Sequence, residues 1–237
     1  MLKLMEWTVR PDNTQNLLAY TDLFAGLTPE QLARVGQQTH RKLFPAGTNI
    51  MTVEQPGEVV YIILEGTVKI YIEQADGRDV TLSILGRGDT VGEMSMIDSS
   101  GRSASAVTLE DSLLLWMDKT AFQECLRDVP QISQNLVRIL AGRVRLANEL
   151  IQALATLDVY GRVARQLLAF TEKYGEAAGD EVRIPIRLTQ GDIAELVGAS
   201  RKRVNQVMVA FKGQSLIAEA EGKITVKDRA GLARYCR

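Results

Sequence analysis

An acid, a base and a hydroxyl stand close together in a stretch rich in small residues. Glu93 and, nine positions later, Arg102-Ser103 are set among Gly92, Ser95, Ser99, Ser100, Gly101, Ala104 and Ser105. A guanidinium presents a fixed fork of donors that fits a phosphate, and an adjacent hydroxyl adds one more. An ionised carboxylate only accepts, so Glu93 suits a sugar hydroxyl and not the phosphate itself. With the free backbone N–H groups of a loop, this set has the chemistry to hold a small anionic sugar phosphate. The same residues also fit a plain surface loop in which Glu93 and Arg102 pair with each other, a common and weak arrangement.

A second cluster of chemistry-bearing residues lies between Leu188 and Val207. Thr189 caps a helix, with Asp192 three residues on; Gly198-Ala199 makes a turn; Ser200 caps the next helix. Ile193, Leu196 and Val197 give the first helix an apolar face, and Val204, Val207, Met208 and Phe211 give one to the second. Outside, at the second helix's N-terminal end, stand Arg201, Lys202, Asn205 and Gln206, with Arg203 on the flank. That is the pattern of a helix-turn-helix, whose second helix reads bases in the major groove. An ordinary helical hairpin with a basic solvated face is the blander account. Arg201 can bind guanine O6 and N7 bidentately, and Gln206 prefers adenine N6 and N7. Lys202 fits a base or a phosphate, while Arg203 and Thr189 fit phosphates, which position without specifying. The runs 217–220 and 223–226, turning at Glu221-Gly222, supply the hairpin of a winged variant.

Elements with regular periods must carry these two clusters. Strand signals occur at 49–53, 59–64, 67–73, 80–85 and 113–117, broken by Gly-rich turns. Short strands so spaced predict a small antiparallel barrel or jelly roll. Gly57, Gly66, Gly77 and Gly88 read as turn glycines of positive φ. Thr28-Pro29-Glu30-Gln31 opens a helix by capping box, whereas residues 1–20 are only weakly patterned. From Gln131 the period lengthens: Leu136, Leu140, Arg143, Ala147, Leu150, Leu154 and Leu157 alternate four and three apart. Such a seam predicts a coiled-coil contact with a second copy of the chain, although packing on its own barrel would need a similar stripe. Asp158 and Gly161 break that helix, 163–174 forms the next, 175–180 is a polar loop, and 182–186 a short strand.

Composition bounds the function classes. The chain of 237 residues is 46% hydrophobic and 24% charged, as ordinary globular proteins are. Net charge is only −1, but it divides unevenly: 14 Lys+Arg against 20 Asp+Glu in 1–160, and 14 against 9 in 161–237. An acidic front joined to a basic tail fits a sensor joined to a nucleic-acid reader. Cys125 and Cys236 are too few and too far apart for a disulfide framework or an iron–sulfur site, which fits a reducing cytoplasm. No leader and no apolar run near 18 residues is evident, so no membrane partner is expected. His40, the only histidine, lies beside Arg41 and Lys42 and reads as a surface residue. Without a metal cluster or a nucleophile elbow, no metal site, cofactor or catalytic constellation is expected.

Gly92-Glu93, seven residues, then Gly101-Arg102-Ser103-Ala104 resembles the phosphate-binding cassette of the cyclic-AMP receptor protein/Fnr (Crp/Fnr) family, and the resemblance runs from about residue 23 to about residue 226. It implies an α+β chain: an effector-sensing β jelly roll (1–128), a dimerisation helix and hinge (129–158) and a winged helix-turn-helix (159–237). It further implies that Glu93 holds a ribose hydroxyl, Arg102 and Ser103 the cyclic phosphate, and the backbone of Gly92 and Met94 the pocket wall. The positions resembling the base-contacting pair are Ala147 and Asn148; the best-known cyclic-AMP binders of the family carry a hydroxyl where Ala147 stands. Arg201 matches the family's guanine-reading arginine, whereas Lys202 stands where many members carry glutamate and Gln206 where the best-known member carries arginine. The implied protein is a homodimeric, ligand-controlled transcription regulator, effector cyclic AMP, acting on near-palindromic DNA and on RNA polymerase. The same regulator with 2-oxoglutarate or no effector, and a nucleotide sensor acting on protein partners, are the alternatives.

Overall fold

The computed structural model describes residues 14–75, 79–220 and 222–236. Helix α1 (Thr14–Ala19), a 3-10 turn (Asp22–Phe24) and helix α2 (Pro29–Gln37) lead into strands β1 (His40–Phe44), β2 (Asn49–Met51), β3 (Val59–Glu65), β4 (Val68–Glu73), β5 (Asp79–Leu85) and β6 (Thr90–Val91). A short helix α3 (Met94–Asp98) precedes β7 (Ser105–Thr108) and β8 (Ser112–Asp118). Helices α4 (Lys119–Asp128), α5 (Pro130–Thr156) and α6 (Val159–Tyr174) follow. The chain closes with β9 (Glu176–Ala178), β10 (Glu181–Ile184), α7 (Gln190–Leu196), α8 (Arg201–Gly213), β11 (Ile217–Ala220), β12 (Lys223–Val226) and α9 (Arg229–Ala233).

The period-two strands form two antiparallel sheets, ordered β1-β8-β3-β6 and β2-β7-β4-β5. Their inward residues, Phe44, Ile63 and Leu114 from one and Met51, Val68 and Ala106 from the other, share one core. This is the expected antiparallel roll. Helices α1, α2 and α4, the 3-10 turn and the first half of α5 cover the outside of the first sheet through Leu18, Phe24, Val35, Phe122, Ile132 and Leu136. The Thr28–Gln31 capping box forms as the residues dictate. Strand β9 replaces the loop expected at 175–180, and α6 starts at Val159, four residues before the sequence pattern places it.

One sequence expectation needs correction. Gly66 and Gly88 do take positive φ, 97° and 92°, and Gly77 lies outside the described residues, but Gly57 does not owe its place to φ. A Cβ there would lie 2.4 Å from Cβ of Ser95, so Gly57 lets the chain pass against the start of α3. The predicted seam of α5 divides, with Leu136 turned inward and Ala147 and Leu154 left exposed. Leu136 is buried against the roll, while Val137, Val144 and Ile151, seven apart, are 66%, 60% and 65% exposed, with Leu154 beside them. An alternation of four and three fits either set, and contact with the roll selects which one turns inward.

Helices α6 to α9 pack on a sheet ordered β11-β12-β10-β9 around Val163, Leu167, Val204, Val207 and Phe211. Glu221 of the wing turn lies outside the described residues, and Gly222 has a φ of 74°. Ile84 of β5, from the roll, belongs to this same core. Around it, Glu195 of α7 accepts from Thr81 Oγ1 at 2.6 Å and from Lys69 Nζ at 3.2 Å, while Lys69 also holds Asp79 at 3.1 Å. Burial opposes the charge on Lys69, but the two carboxylates outweigh it and raise its pKa. Lys173 and Tyr174 of α6 both reach Asp89, and burial together with that carboxylate pushes the tyrosine pKa well up. Among the described residues no helix is long and apolar enough to cross a membrane.

Candidate effector pocket and nucleic-acid interface

Strand β6 delivers the chain into the cassette, where Gly92 takes a φ of 86° that side chains rarely adopt. A Cβ at that position would stand 2.4 Å from Nη1 of Arg102 and 3.1 Å from O of Val59, so only glycine lets the guanidinium lie across the turn. Arg102, 8% exposed, donates to Gly92 O at 3.0 Å, Ser95 Oγ at 3.1 Å and Val59 O at 2.7 Å. Burial lowers its pKa, partly offset by Tyr61, Glu93 and Glu58. Ser103, exposed, lies 3.7 Å from Sδ of Met94, which brings those two residues to one rim.

Glu93 is 1% exposed and does not pair with Arg102. Its partner is Arg143 of α5, whose other nitrogen donates to Thr90 O. The plain-loop account of Glu93 and Arg102 therefore fails: each acid and base is engaged by a different part of the fold. Arg143, one of the predicted seam positions, turns its long side chain out of the apolar line to close over the cassette. Thr90, Ser95 and Val59 were not foreseen as site residues. Only the small size of Ser95 beside Gly92 hinted at one of them. Glu93 Oε2, Arg102 Nε, Arg143 Nε and Thr90 Oγ1 are buried and find no hydrogen-bond partner among the described residues. Ala147 and Asn148 are exposed on α5, with Asn148 turned well away from Arg143.

The reader end is assembled by caps. Thr189 Oγ1 accepts from Asp192 N at 3.1 Å and donates to Asp192 Oδ2 at 2.6 Å, while the Thr189 amide also donates to that carboxylate. The hydroxyl is thus committed to the cap of α7. Gly198 turns the chain with a φ of 60°, and Ser200 Oγ accepts from Arg203 N to start α8. Arg201, Lys202, Arg203, Asn205 and Gln206 are all exposed on one side of α8, opposite buried Val204, Val207, Met208 and Phe211. Arg203 stacks over Tyr160 at 5.8 Å and donates to Gln206 Oε1 at 3.2 Å. His40 is exposed and tilts against the Trp116 ring, and no group of three metal-capable side chains occurs among the described residues.

Comparison with known proteins agrees with this geometry. Residues 41–129 match the family model for the cyclic nucleotide-binding domain, and residues 161–235 that for the Crp-like helix-turn-helix domain. The chain is 38% identical over 222 residues to a CRP-like cAMP-activated global transcriptional regulator of Mycobacterium tuberculosis, covering 93% of this chain and 99% of that one. It is 31% identical to the cyclic AMP receptor protein of Thermus thermophilus over 88% of this chain and 93% of that one. The structure of FixK2 from Bradyrhizobium japonicum superposes with a TM-score of 0.73 at 19% identity, over 84% of this chain and 98% of that one, a likeness of fold. Roll, long helix and winged helix-turn-helix are the parts of a DNA-binding transcription regulator, the non-enzymatic role for which these relatives are named. The chain belongs to the Crp/Fnr family.

Proposed function

We propose that the chain is a cytoplasmic, homodimeric regulator whose binding to a near-palindromic DNA site is controlled by cyclic AMP. We divide it into an effector domain (1–128), a dimerisation helix with its hinge (129–158) and a reader (159–237). The observation that carries the effector reading is the group of buried, partnerless polar atoms around Gly92. A buried acceptor on Glu93 and a buried donor on Arg102 are costly unless something satisfies them, and a ribose hydroxyl and a cyclic phosphate do so. Ser103 adds a hydroxyl, and the backbone of Gly92 and Met94 completes the wall. Relatives named a cAMP-activated regulator and a cyclic AMP receptor protein support the choice of nucleotide.

Arg143 gives the mechanism its coupling. Nucleotide and α5 compete for Glu93, so binding re-forms the contact between roll and helix and favours one arrangement of the hinge at 157–158. The ligand shifts that equilibrium only by its differential affinity for the two arrangements. The exposed ridge Val137-Val144-Ile151 is a heptad line suited to a second copy of α5, and pairing the helices brings Asn148 of each copy to the other's base pocket. Two readers then meet half-sites about one helical turn apart, where the activator form also contacts RNA polymerase. The test is calorimetric titration of the protein with cyclic AMP, cyclic GMP and 2-oxoglutarate, followed by DNA binding with and without each. Cyclic AMP should bind and strengthen DNA binding; binding of 2-oxoglutarate alone, or DNA binding indifferent to all three, would overturn the assignment.

A further inference from the structure

Among the described residues 159–236, one large apolar side chain stands strongly exposed: Val209, at 57%. Single exposed apolar residues are ordinary on protein surfaces, but this one has a particular address. It lies on the outward stripe of α8 with Lys202, Asn205 and Gln206, directly opposite the buried line Val204-Val207-Met208-Phe211. Both neighbours on its C-terminal side are accounted for, since Ala210 is half-buried and Lys212 holds Glu219 of the wing at 3.0 Å. Val209 is therefore the apolar member of an otherwise polar base-facing surface.

We infer that Val209 is a specificity-determining residue that reads a thymine C5-methyl group. That methyl is the one apolar group a base pair offers in the major groove. An isopropyl group there gains by covering it, and cytosine in the same place would present an amino group that valine cannot satisfy. Val209 sits about 12 Å along the helix from Arg201 at about 1.5 Å per residue. With base pairs about 3.4 Å apart, the thymine should fall within about four base pairs of the guanine read by Arg201.

The experiment starts from a randomised-site selection with cyclic AMP present, and then replaces the thymine of each half-site by deoxyuridine, which removes the methyl alone. Wild type should lose affinity by about fourfold per half-site, the factor carried by one buried methylene-sized group. Val209→Ala should bind the thymine site more weakly by a similar factor and be indifferent to deoxyuridine. Its salt slope should equal the wild-type slope, since no phosphate contact is lost. Wild-type tolerance of deoxyuridine, a Val209→Ala protein that keeps the thymine preference, or an enriched site with no thymine in that window would overturn the inference while leaving the DNA-reader assignment standing. A wild type that enriches no sequence would overturn both.

Discussion

Arg102→Ala separates the two tasks of one guanidinium. In the protein it holds Gly92 O, Ser95 Oγ and Val59 O together, and hydrogen bonds to a charged group are worth about 1.5–3 kcal/mol each. Removing it frees two backbone carbonyls and a hydroxyl at the pocket floor, so the nucleotide-free protein should melt earlier in urea. The larger loss should fall on the ligand. A phosphate deprived of its buried, charged partner forfeits about 2–5 kcal/mol, which is about a 30- to 5,000-fold rise in Kd. Arg102→Lys should fall between, because an ammonium keeps the charge but cannot span Val59 O, Gly92 O and the phosphate at once. Calorimetry with cyclic AMP reads the second effect, and a urea titration without nucleotide reads the first. A folded Arg102→Ala protein that binds cyclic AMP within about threefold of wild type, less than 1 kcal/mol, would refute the cassette assignment.

Val144→Glu with Ile151→Glu places like charges on the exposed ridge, and should convert a sedimenting dimer to monomers that no longer hold a palindromic site; a wild-type monomer at micromolar concentration would contradict the pairing. Arg201→Ala should cost about 1–3 kcal/mol on the selected site and relax one base pair per half-site. Arg203→Ala should instead weaken all sequences and lower the salt slope by about one, measurable by anisotropy across a salt series. Burial holds the Cys125 thiol up at about 11, so alkylation at pH 8 should leave it unmodified until the protein is unfolded, and reactivity should climb as pH rises towards that value.

Legibility in the sequence tracked how local the cause was. Strands β3, β4, β5 and β8 announce themselves by alternation and Gly-rich turns, and the caps at Thr28, Thr189 and Ser200 depend on residues three apart. Strand β1 gave no signal because only Phe44 of His40–Phe44 is buried; it is a strand because β8 pairs with it from Ser112 to Trp116. Glu93, Arg102 and Ser103 were visible as a chemical set through their short spacing. What engages them was not: Arg143 is 50 residues from Glu93 and Val59 is 43 from Arg102, and separation of that size has no periodic trace. The seam of α5 divides between two surroundings for the same reason, since only contact with the roll decides which of its residues turn inward.

Ile84 makes the covalent boundary and the packing boundary different places. The long helix breaks at 157–158, yet an isoleucine from β5 is buried in the same core as the apolar residues of α6 to α9, flanked by the Thr81–Glu195–Lys69 bonds. A reader cut free at that division would carry a groove the size of one isoleucine side chain, and large-to-small losses of that kind run to about 2–5 kcal/mol. A chimaera that joins this reader to a foreign roll inherits the same defect unless position 84 is carried across with it. Heat should accordingly unfold the intact chain as one cooperative block, with the reader stabilised by a residue it does not encode.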